Sequence, residues 1–275
     1  MGHKAMTKAA GAGPAGPRGD PPANLSAPVL GMKDVGHAYF GRTVLDFVSL
    51  SVWPGEVVSL IGPSGCGKST LLHIAAGVVD PLRGRVERRY RRHGVVFQDP
   101  RLMPWSTARQ NILYPLRFRP MSRAERRAKA EAAAARAALL PEDLDKYPVE
   151  LSGGMRQRTA IARALAGEPD FLYFDEPFTA LDVALKRRMQ DLVIESSRAL
   201  RFGALFVTHD LTEAARVSHR IAVMDSDGRG ILGERTVPGE PGKRTDDTLY
   251  ETVSAYLAED PLFRHIHDVD ERRVA

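Results

Sequence analysis

A glycine-rich segment contains the residue types that bind a phosphate chain. Residues 62–69 read Gly-Pro-Ser-Gly-Cys-Gly-Lys-Ser, which fits the pattern G-x-x-x-x-G-K-[ST] between an apolar run and an expected helix. The glycines let several backbone N–H groups point at one phosphate chain, and the helix N-terminus adds its positive dipole end. In this pattern Lys68 is expected to reach the β- and γ-phosphates and Ser69 to ligate Mg²⁺. The segment therefore predicts a nucleotide-binding loop, which we call the phosphate loop.

A second segment, residues 171–176, reads as a buried strand that ends in two acids, Asp175 and Glu176. Adjacent residues on a strand point to opposite sides, so the two acids can do different jobs. Asp175 is expected to hold Mg²⁺, and Glu176 to polarise an attacking water as general base. Alone, such a pair is also compatible with a solvated turn. Together with the phosphate loop it favours a nucleotide hydrolase, although kinases and GTPases share this combination.

Cys66, inside the phosphate loop, has two interpretations. It is a small residue that fits a tight loop, or it is a partly activated thiol, because Lys68 and a helix N-terminus both favour the thiolate. In the second case bound nucleotide would protect Cys66 from alkylation. The sequence leaves both interpretations open.

Residues 151–157, Leu-Ser-Gly-Gly-Met-Arg-Gln, place a serine at a helix N-cap followed by two glycines. Such a helix end binds anions and lets the backbone approach a phosphate closely. Because the chain already has one phosphate loop, this second helix end indicates a site that another copy of the chain completes. On its own, the segment is also compatible with an ordinary helix cap.

Two further polar residues follow expected strands. Gln98 comes after the strand His93–Phe97, and His209 after the strand Ala204–Thr208. Both are therefore expected at the carboxyl edge of a parallel sheet, where ligands of such folds bind. Taken singly, Gln98 is compatible with a turn residue and His209 with a capped histidine.

Together these motifs resemble the ATPase subunits of ABC transporters, over about residues 29–224. The resemblance implies an α/β fold with a P-loop NTPase (RecA-like) core, an antiparallel β subdomain and an inserted α-helical subdomain. It also implies ATP and Mg²⁺ as cofactors. The implied catalytic residues are Lys68, Glu176 and His209, and the implied metal-binding residues are Ser69, Gln98 and Asp175. The implied ATP-binding residues are Tyr39, Gly62, Pro63, Ser64, Gly65, Cys66, Gly67, Lys68, Ser69, Thr70, Gln98, Ser152, Gly153, Gly154 and Asp182.

The resemblance also implies which residues contact adenine and which one senses the permease. Tyr39 resembles the aromatic residue that stacks on adenine. Phe40 stands where many relatives have a glycine, so which of the two rings meets adenine stays open. Gln98 is similar to the glutamine that senses Mg²⁺ and the permease.

The remaining motifs resemble the residues that join two subunits. Residues 152–154 resemble the signature that contacts ATP bound to the opposite subunit, and Asp182 resembles the acid that links the two sites. His209 is similar to the switch histidine that contacts the γ-phosphate. The resemblance therefore implies a head-to-tail dimer with ATP between the copies, integral-membrane permease subunits as partners, and a substrate-binding protein as an indirect partner.

Residues 97–105, Phe-Gln-Asp-Pro-Arg-Leu-Met-Pro-Trp, resemble the subgroup that serves nitrate, sulfonate, taurine and related importers. Pro104 and Trp105 lie just after Gln98, where the family receives a short coupling helix from the permease. For Trp105, a place in the core is the alternative. The resemblance implies ATP-driven import of a small anion of this class.

The elements that position these residues alternate between strands and helices. Two opening strands are expected from Pro28 to Phe40 and up to Val52, with a turn at Gly41. Buried strands are expected at 57–61, 93–97, 171–174, 204–208 and 221–224, and helices at 71–77, 122–140, 153–166 and 183–200. This alternation predicts a parallel sheet covered on both faces. The domains expected are a disordered leader at 1–27, an ATPase domain at 28–233 with a helical subdomain at about 103–166, and a C-terminal extension at 234–275.

The composition indicates a globular protein and a reducing compartment. Of the 275 residues, 43% are hydrophobic and 27% charged, which is ordinary for a globular protein. No run approaches the roughly 18 apolar residues that a membrane-spanning helix needs, and the leader lacks the apolar region of a secretory signal. The single cysteine excludes an internal disulfide and fits a reducing compartment. Together with the resemblance to ABC transporter ATPases, this implies the cytoplasmic face of the inner membrane as the location.

The net charge is +5, and two basic stretches, residues 83–92 and 117–127, contain much of the excess positive charge. They indicate either attraction to nucleic acid or to an anionic membrane, or a solvated face interrupted by Glu87 and Glu125. ABC ATPases that act on nucleic acid usually carry two ATPase units, coiled-coil insertions or zinc fingers, and this sequence has none of these. An unrelated kinase would leave residues 152–154 and His209 without roles. We therefore expect a transport ATPase with no nucleic-acid partner.

Overall fold

The computed structural model describes residues 27–264. The disordered leader predicted for residues 1–27 lies, apart from its last residue, outside the described residues, as does the end of the predicted C-terminal extension. The strands are β1 (Leu30–Tyr39), β2 (Arg42–Val52), β3 (Val57–Ile61), β4 (Arg83–Arg88), β5 (His93–Val96), β6 (Phe171–Asp175), β7 (Gly203–Val207), β8 (Arg220–Met224) and β9 (Ile231–Thr236).

The helices follow in the same chain order. They are α1 (Lys68–Ala76), α2 (Ala108–Leu113), α3 (Arg123–Arg136), α4 (Gly153–Ala166), α5 (Val183–Leu200), α6 (Leu211–Val217), α7 (Asp246–Glu259) and α8 (Pro261–Arg264). Short 3-10 turns span Tyr114–Phe118, Pro141–Asp143 and Pro148–Glu150. Between residues 27 and 264, no helix is long and apolar enough to cross a membrane.

Three strands form an antiparallel sheet in the order β2-β1-β4. The hairpin between β1 and β2 pairs Tyr39 with Arg42, so its turn consists of only Phe40 and Gly41. Both turn residues have left-handed backbones, with φ of 49° and 79°. Two such residues in succession match the twist of the flanking strands, which explains the tight connection.

The larger sheet has six strands in the order β5-β6-β7-β3-β8-β9. Its first five strands are parallel, and β9 pairs antiparallel with β8. The prediction of a parallel sheet is confirmed, with an antiparallel edge strand that the sequence did not indicate. The mixed α/β architecture agrees with the expected P-loop NTPase core and antiparallel β sheet.

The central strands are buried on both faces, and their side chains alternate between two cores. On β6, Phe171 and Tyr173 pack with α1 and the antiparallel sheet, whereas Leu172 and Phe174 pack with α2 to α5. The same alternation places the side chain of Asp175, at the end of β6, on the α1 side. Because side chains alternate along β6 and each face packs against its own core, the face on which the Asp175 side chain lies is fixed.

Helix α3 is shorter than the helix predicted for residues 122–140. It begins after Ser122, whose side chain accepts a hydrogen bond from the Glu125 N–H while the Glu125 carboxylate accepts one from the Ser122 N–H. This capping box satisfies two N–H groups that lack partners inside the helix. At the other end Ala138 is left-handed, with φ of 57°, and the helix ends just before it.

Helices α2, α3 and α4 pack on one another within the segment predicted as a helical subdomain. The predicted domain boundary at residue 233 falls inside β9, which completes the six-stranded sheet. Beyond it, α7 packs on α6, and Tyr256 stacks on Phe263 with ring centroids 4.7 Å apart. The division of the chain into domains stays a prediction.

Candidate functional site

The phosphate loop lies between β3 and α1, at the carboxyl edge of the six-stranded sheet. Its last residue before α1, Gly67, has a left-handed backbone with φ of 99°. A Cβ atom on Gly67 would lie 2.8 Å from Leu45 Cδ2 and 3.0 Å from the Val44 carbonyl oxygen. Both the backbone conformation and the close approach of β2 therefore require a glycine here.

Lys68 is buried, and its ammonium group lies across the phosphate loop. Its Nζ donates hydrogen bonds to the carbonyl oxygens of Gly62, at 2.7 Å, and Pro63, at 2.8 Å. These two bonds satisfy part of the ammonium's hydrogen-bonding capacity next to the loop that would bind phosphate. The arrangement places a positive charge against the phosphate loop, and the role of Lys68 as a phosphate ligand stays a prediction.

The Cys66 side chain is buried beneath the phosphate loop. Burial raises the pKa of the Cys66 thiol, and this effect outweighs the lowering by the nearby Lys68 charge. A thiol with a raised pKa carries little thiolate, so the structure does not support an activated cysteine. Cys66 is better explained as a small side chain that fits the tight loop.

Ser69 and Asp175 meet at the junction of α1 and β6. The Ser69 hydroxyl donates a hydrogen bond of 2.8 Å to Asp175 Oδ1, and His73 Nε2 lies 3.5 Å from Asp175 Oδ2. Asp175 is almost fully buried, and burial raises the pKa of its carboxyl group. The carboxylate is thus poorly solvated and lies against a hydroxyl group.

This pair fits a magnesium ion. A hydroxyl and a carboxylate are the hard oxygen ligands that Mg²⁺ prefers, and the ion takes its other ligands from phosphates and water. A bound cation would also offset the burial of the Asp175 charge. Within the part of the chain that the structure describes, no group of three or more His, Cys, Asp or Glu residues could hold a metal by itself. Ser69 and Asp175 together offer two oxygen ligands and leave the other coordination positions to phosphates and water.

Glu176 lies directly after β6, and its side chain turns away from Ser69. Its Oε2 lies 3.3 Å from His209 Nδ1, and its own N–H donates to the Val207 carbonyl oxygen at 2.9 Å. Glu176 has a left-handed backbone with φ of 44°, which for a residue other than glycine is strained. His209 is exposed, so its ring faces the surface at the carboxyl edge of the sheet. The two acids thus contact different partners, as predicted.

Gln98 lies two residues past β5 and is exposed. The loop that carries it is held by α4, because Gln157 Nε2 donates to the Phe97 carbonyl oxygen at 3.1 Å. Arg163, further along α4, donates to the carbonyl oxygens of Pro100 and Arg101, both at 2.9 Å. The Gln98 loop and α4 therefore move together unless these bonds break.

Ser152 is the N-cap of α4, as the sequence predicted, and its Oγ accepts a hydrogen bond from the Met155 N–H at 3.2 Å. A Cβ atom on Gly153 would lie 4.0 Å from Arg156 Nη2, whereas one on Gly154 would lie 3.4 Å from Leu181 Cδ2. Within residues 27–264, no hydrogen bond or ion pair joins residues 152–154 to the phosphate loop. In one chain these two helix ends therefore stay unconnected by polar contacts.

Asp182 is exposed and caps α5, where its carboxylate accepts a hydrogen bond from the Leu185 N–H at 3.0 Å.

Tyr39 and Phe40 lie at the β1–β2 hairpin. Tyr39 packs edge-on against His37, with ring centroids 4.7 Å apart, whereas the Phe40 side chain is fully exposed. Both aromatic rings are accessible, and the choice between them for adenine stays open.

The basic stretch at residues 83–92 is partly paired within the chain, with three acidic residues for its six arginines. Arg83 pairs with Asp46, Arg92 with Asp170, and both Arg85 and Arg89 with Glu87. Arg88 donates to the last carbonyl oxygens of α1, those of Ile74 and Ala75. These contacts favour the interpretation as a solvated, internally paired face.

Several residues near the site were not singled out by the sequence. They are His73 beside Asp175, Gln157 and Arg163 on α4, Lys186 on α5, and Glu213 on α6. Each contacts a partner that is distant in sequence or lies on another element, so no local motif marks it. The nearest signal is periodicity, since His73 follows Ser69 by one helical turn.

Comparison with family models identifies one match in this chain. The model described as ABC transporter matches residues 45–179, which contain the phosphate loop, residues 152–154 and both acids at the end of β6. Strand β1 and the start of β2 lie outside this match, as does the whole segment that contains His209.

Curated relatives extend the similarity over most of the chain. The taurine import ATP-binding protein TauB of Sinorhizobium fredii is 41% identical over 234 residues, covering 82% of this chain and 85% of the relative. The aliphatic sulfonates import ATP-binding protein SsuB 1 of Pseudomonas syringae pv. syringae is 46% identical over 229 residues, covering 81% and 92%.

Solved structures share the fold. A dimeric bacterial ABC transporter cassette has a TM-score of 0.72 and 33% identity, over 76% of this chain and 99% of that chain. A dimeric ATP-binding cassette in a post-hydrolysis state, bound to ADP and Pi, has a TM-score of 0.71 and 32% identity over the same shares.

Proposed function

Because the chain belongs to the ABC transporter family of ATP-binding proteins, we propose that it is the ATP-hydrolysing subunit of an importer for a sulfonate. The observation that carries the proposal is the divergence of the two acids at the end of β6. Asp175 contacts Ser69 of the phosphate-loop helix, whereas Glu176 contacts His209. One acid is thereby free to hold a metal while the other acts on water.

Each group of the chain has a distinct task in this reaction. The backbone N–H groups of the phosphate loop and the ammonium of Lys68 bind the phosphates, for which Lys68 exchanges its bonds to Gly62 and Pro63 for bonds to phosphate oxygens. Ser69 and Asp175 would hold Mg²⁺. When bound, the ion neutralises charge on the phosphate oxygens.

Glu176 and His209 act on the attacking water. The Glu176 carboxylate accepts the proton of that water, and the contact between Glu176 Oε2 and His209 Nδ1 holds the carboxylate in place. Because the His209 ring is exposed, its other nitrogen remains available to the γ-phosphate. Hydrolysis thus requires both the acid and the histidine in this arrangement.

A second copy of the chain is the partner that completes the site. Residues 152–154 form an anion-binding helix end that makes no polar contact with the phosphate loop of its own chain within the described residues. The dimeric state of similar cassettes supports a head-to-tail pair, in which this helix end meets ATP held by the other copy.

The names of the relatives support a proposal for the solute and for the membrane partners. Two relatives named for taurine and aliphatic sulfonate import support a small sulfonate as the transported solute. Importer subunits of this kind act on integral-membrane permeases, and a separate substrate-binding protein would deliver the solute. We place the chain at the cytoplasmic face of the membrane, where ATP is available.

Purification of the tagged chain from its native membrane tests this proposal, with the partners identified by mass spectrometry. We expect a polytopic permease, and its companion binding protein should bind taurine or an alkanesulfonate. Cells that lack the chain should also lose growth on that sulfonate as sulfur source. Recovery of ribosomes or nucleic acid without a membrane protein would contradict the proposal.

A further inference from the structure

A group of polar side chains joins α5 to the loop that carries His209. We call it the Lys186 cluster; it consists of Lys186, Gln190, Thr208, Asp210 and Glu213. Lys186 Nζ lies 2.9 Å from Asp210 Oδ2 and 3.3 Å from Glu213 Oε1. Gln190 Nε2 donates to Glu213 Oε1 at 3.3 Å, and the Thr208 hydroxyl donates to Glu213 Oε2. The cluster therefore ties a helix to a loop through both oxygens of one carboxylate.

The cluster is charged and largely withdrawn from water. Gln190, Thr208 and Glu213 are buried. Burial raises the pKa of Glu213 despite its bonds to Thr208 and Lys186. For Lys186, burial acts in the opposite direction, but Asp210 and Glu213 outweigh it and raise its pKa. Because buried ion pairs contribute little net stability, fold stability alone is a weak explanation for this arrangement.

One end of the cluster leads to the exposed loop at Asp182. Lys186 is one helical turn after Asp182, and its N–H donates to the Asp182 carbonyl oxygen at 2.7 Å. The Asp182 carboxylate caps the same turn. Since the first turn of α5 is closed by both bonds, Asp182 and Lys186 form one rigid unit.

The other end of the cluster fixes the residues on both sides of His209. Thr208 and Asp210 flank His209 in the chain, and the Asp210 N–H donates to the Thr208 hydroxyl at 3.1 Å. Asp210 Oδ1 also accepts a bond from the Glu213 N–H at 3.0 Å. His209 itself contacts Glu176. The position of this ring therefore depends on where Lys186 holds Asp210 and Glu213.

We propose that Lys186 is a positioning residue that couples the Asp182 loop to His209, so that docking of the second copy against Asp182 sets the histidine for hydrolysis. The proposal rests on the proposed function, since it needs a dimer and an ATPase reaction. Its basis is the continuous path of contacts from Asp182 through Lys186 and the Asp210–Glu213 pair to the loop of His209.

The test compares Lys186→Met with Lys186→Arg in the full chain. Methionine keeps the length of the side chain but removes the charge, whereas arginine keeps the charge. Arg187→Met is the matched control, because its ion pair with Asp246 is exposed and lies outside the cluster. The measurements are the ATPase rate against ATP concentration, binding of a non-hydrolysable ATP analogue at low protein concentration, and thermal unfolding.

For Lys186→Met we expect the Hill coefficient to fall toward 1 and kcat to fall by about fivefold or more, the range of a typical coupling energy. Analogue binding should change little, because no hydrogen bond or ion pair joins the phosphate loop to the cluster within residues 27–264. Lys186→Arg and Arg187→Met should behave like the wild type. A cooperative Lys186→Met variant with unchanged kcat would overturn the inference.

A double variant separates coupling from charge balance. Lys186→Met combined with Glu213→Gln removes the charge of Lys186 together with that of its buried partner Glu213, so it should recover thermal stability if the single variant loses it. If the double variant stays non-cooperative, the coupling role is supported. If it regains cooperativity together with stability, the cluster is only structural and the inference fails. A wild type that neither hydrolyses ATP nor shows cooperativity would instead contradict the proposed function.

Discussion

The Ser69 hydroxyl donates a 2.8 Å hydrogen bond to Asp175 Oδ1, across 106 positions of the sequence. The bond joins the start of α1 to the end of β6, and both side chains supply oxygen ligands of the type that Mg²⁺ prefers. It therefore brings the phosphate-loop helix and the acidic strand together at one candidate metal site.

Replacing Asp175 by asparagine should separate metal binding from folding. Because the carboxylate is buried and its pKa is raised, Asp175→Asn should unfold at the same temperature as the wild type or higher without nucleotide. The extra stability that Mg²⁺ gives in the presence of ATP should disappear; at 100-fold excess over Kd such binding contributes about 2.7 kcal/mol. Thermal unfolding with ATP, with and without Mg²⁺, measures both effects.

Asp170→Asn is the control for this change, since Asp170 precedes the same strand but pairs with Arg92 in an exposed position. It should keep the Mg²⁺-dependent stabilisation. If Asp175→Asn also keeps it in full, Asp175 is not a metal ligand.

Gly67→Ala should damage the phosphate loop more than a glycine replacement with free space around it. Alanine at position 67 adds left-handed strain of about 1–2 kcal/mol and an overlap with Leu45 and the Val44 carbonyl. Gly55→Ala is the matched control, because Gly55 also has a positive φ, of 74°, but no atom lies within 4 Å of its added Cβ. Calorimetric titration with ATP should show lost binding for Gly67→Ala only; equal affinities would argue against a role of this loop.

His219 should make the folded protein sensitive to acid. Its Nδ1 accepts a hydrogen bond of 3.0 Å from the Val57 N–H at the start of β3, and burial lowers the pKa of the ring below 6.5. The unfolded chain therefore binds a proton that the folded chain resists. The stability from this group is present above pH 6.5 and is lost as the pH falls through the folded-state pKa.

Denaturant unfolding between pH 5 and 8 should show this slope in the wild type. A tenfold difference in proton affinity between the folded and the unfolded chain corresponds to about 1.4 kcal/mol of unfolding free energy. In His219→Gln the slope should shrink rather than vanish, because burial also lowers the pKa values of His73 and His93. A slope identical to that of the wild type would show that His219 does not contribute.

The sequence predicted the central strands and the parallel sheet because these strands are short, mostly apolar runs that are buried on both faces. It did not predict β4, where Val86 is the only apolar residue of six, since an edge strand pairs through its backbone with β1 and leaves its side chains in water. Helix α7 was not predicted for a related reason. Only Leu249 of its residues is buried, so its amphipathic pattern is weak.

At the site, a local motif was enough to predict the cap at Ser152, because backbone conformation there depends on adjacent residues, whereas the cap at Asp182 was not predicted. The sequence predicted that the two acids point to different sides, and they do contact different partners. It did not predict that Glu176 lies beyond the end of β6 with a left-handed backbone. Contacts such as that of Lys186 with Glu213 join separate helices, and no spacing in the sequence indicates them.

We propose that one chain forms half of an ATPase and that a second copy completes it. Light scattering of Glu176→Gln with ATP tests it most directly, because loss of the general base should stop hydrolysis and preserve the bound state. We expect a mass twice that of the 30.2 kDa chain, dependent on ATP and abolished by a second change, Lys68→Ala. A monomer at saturating ATP would contradict the account.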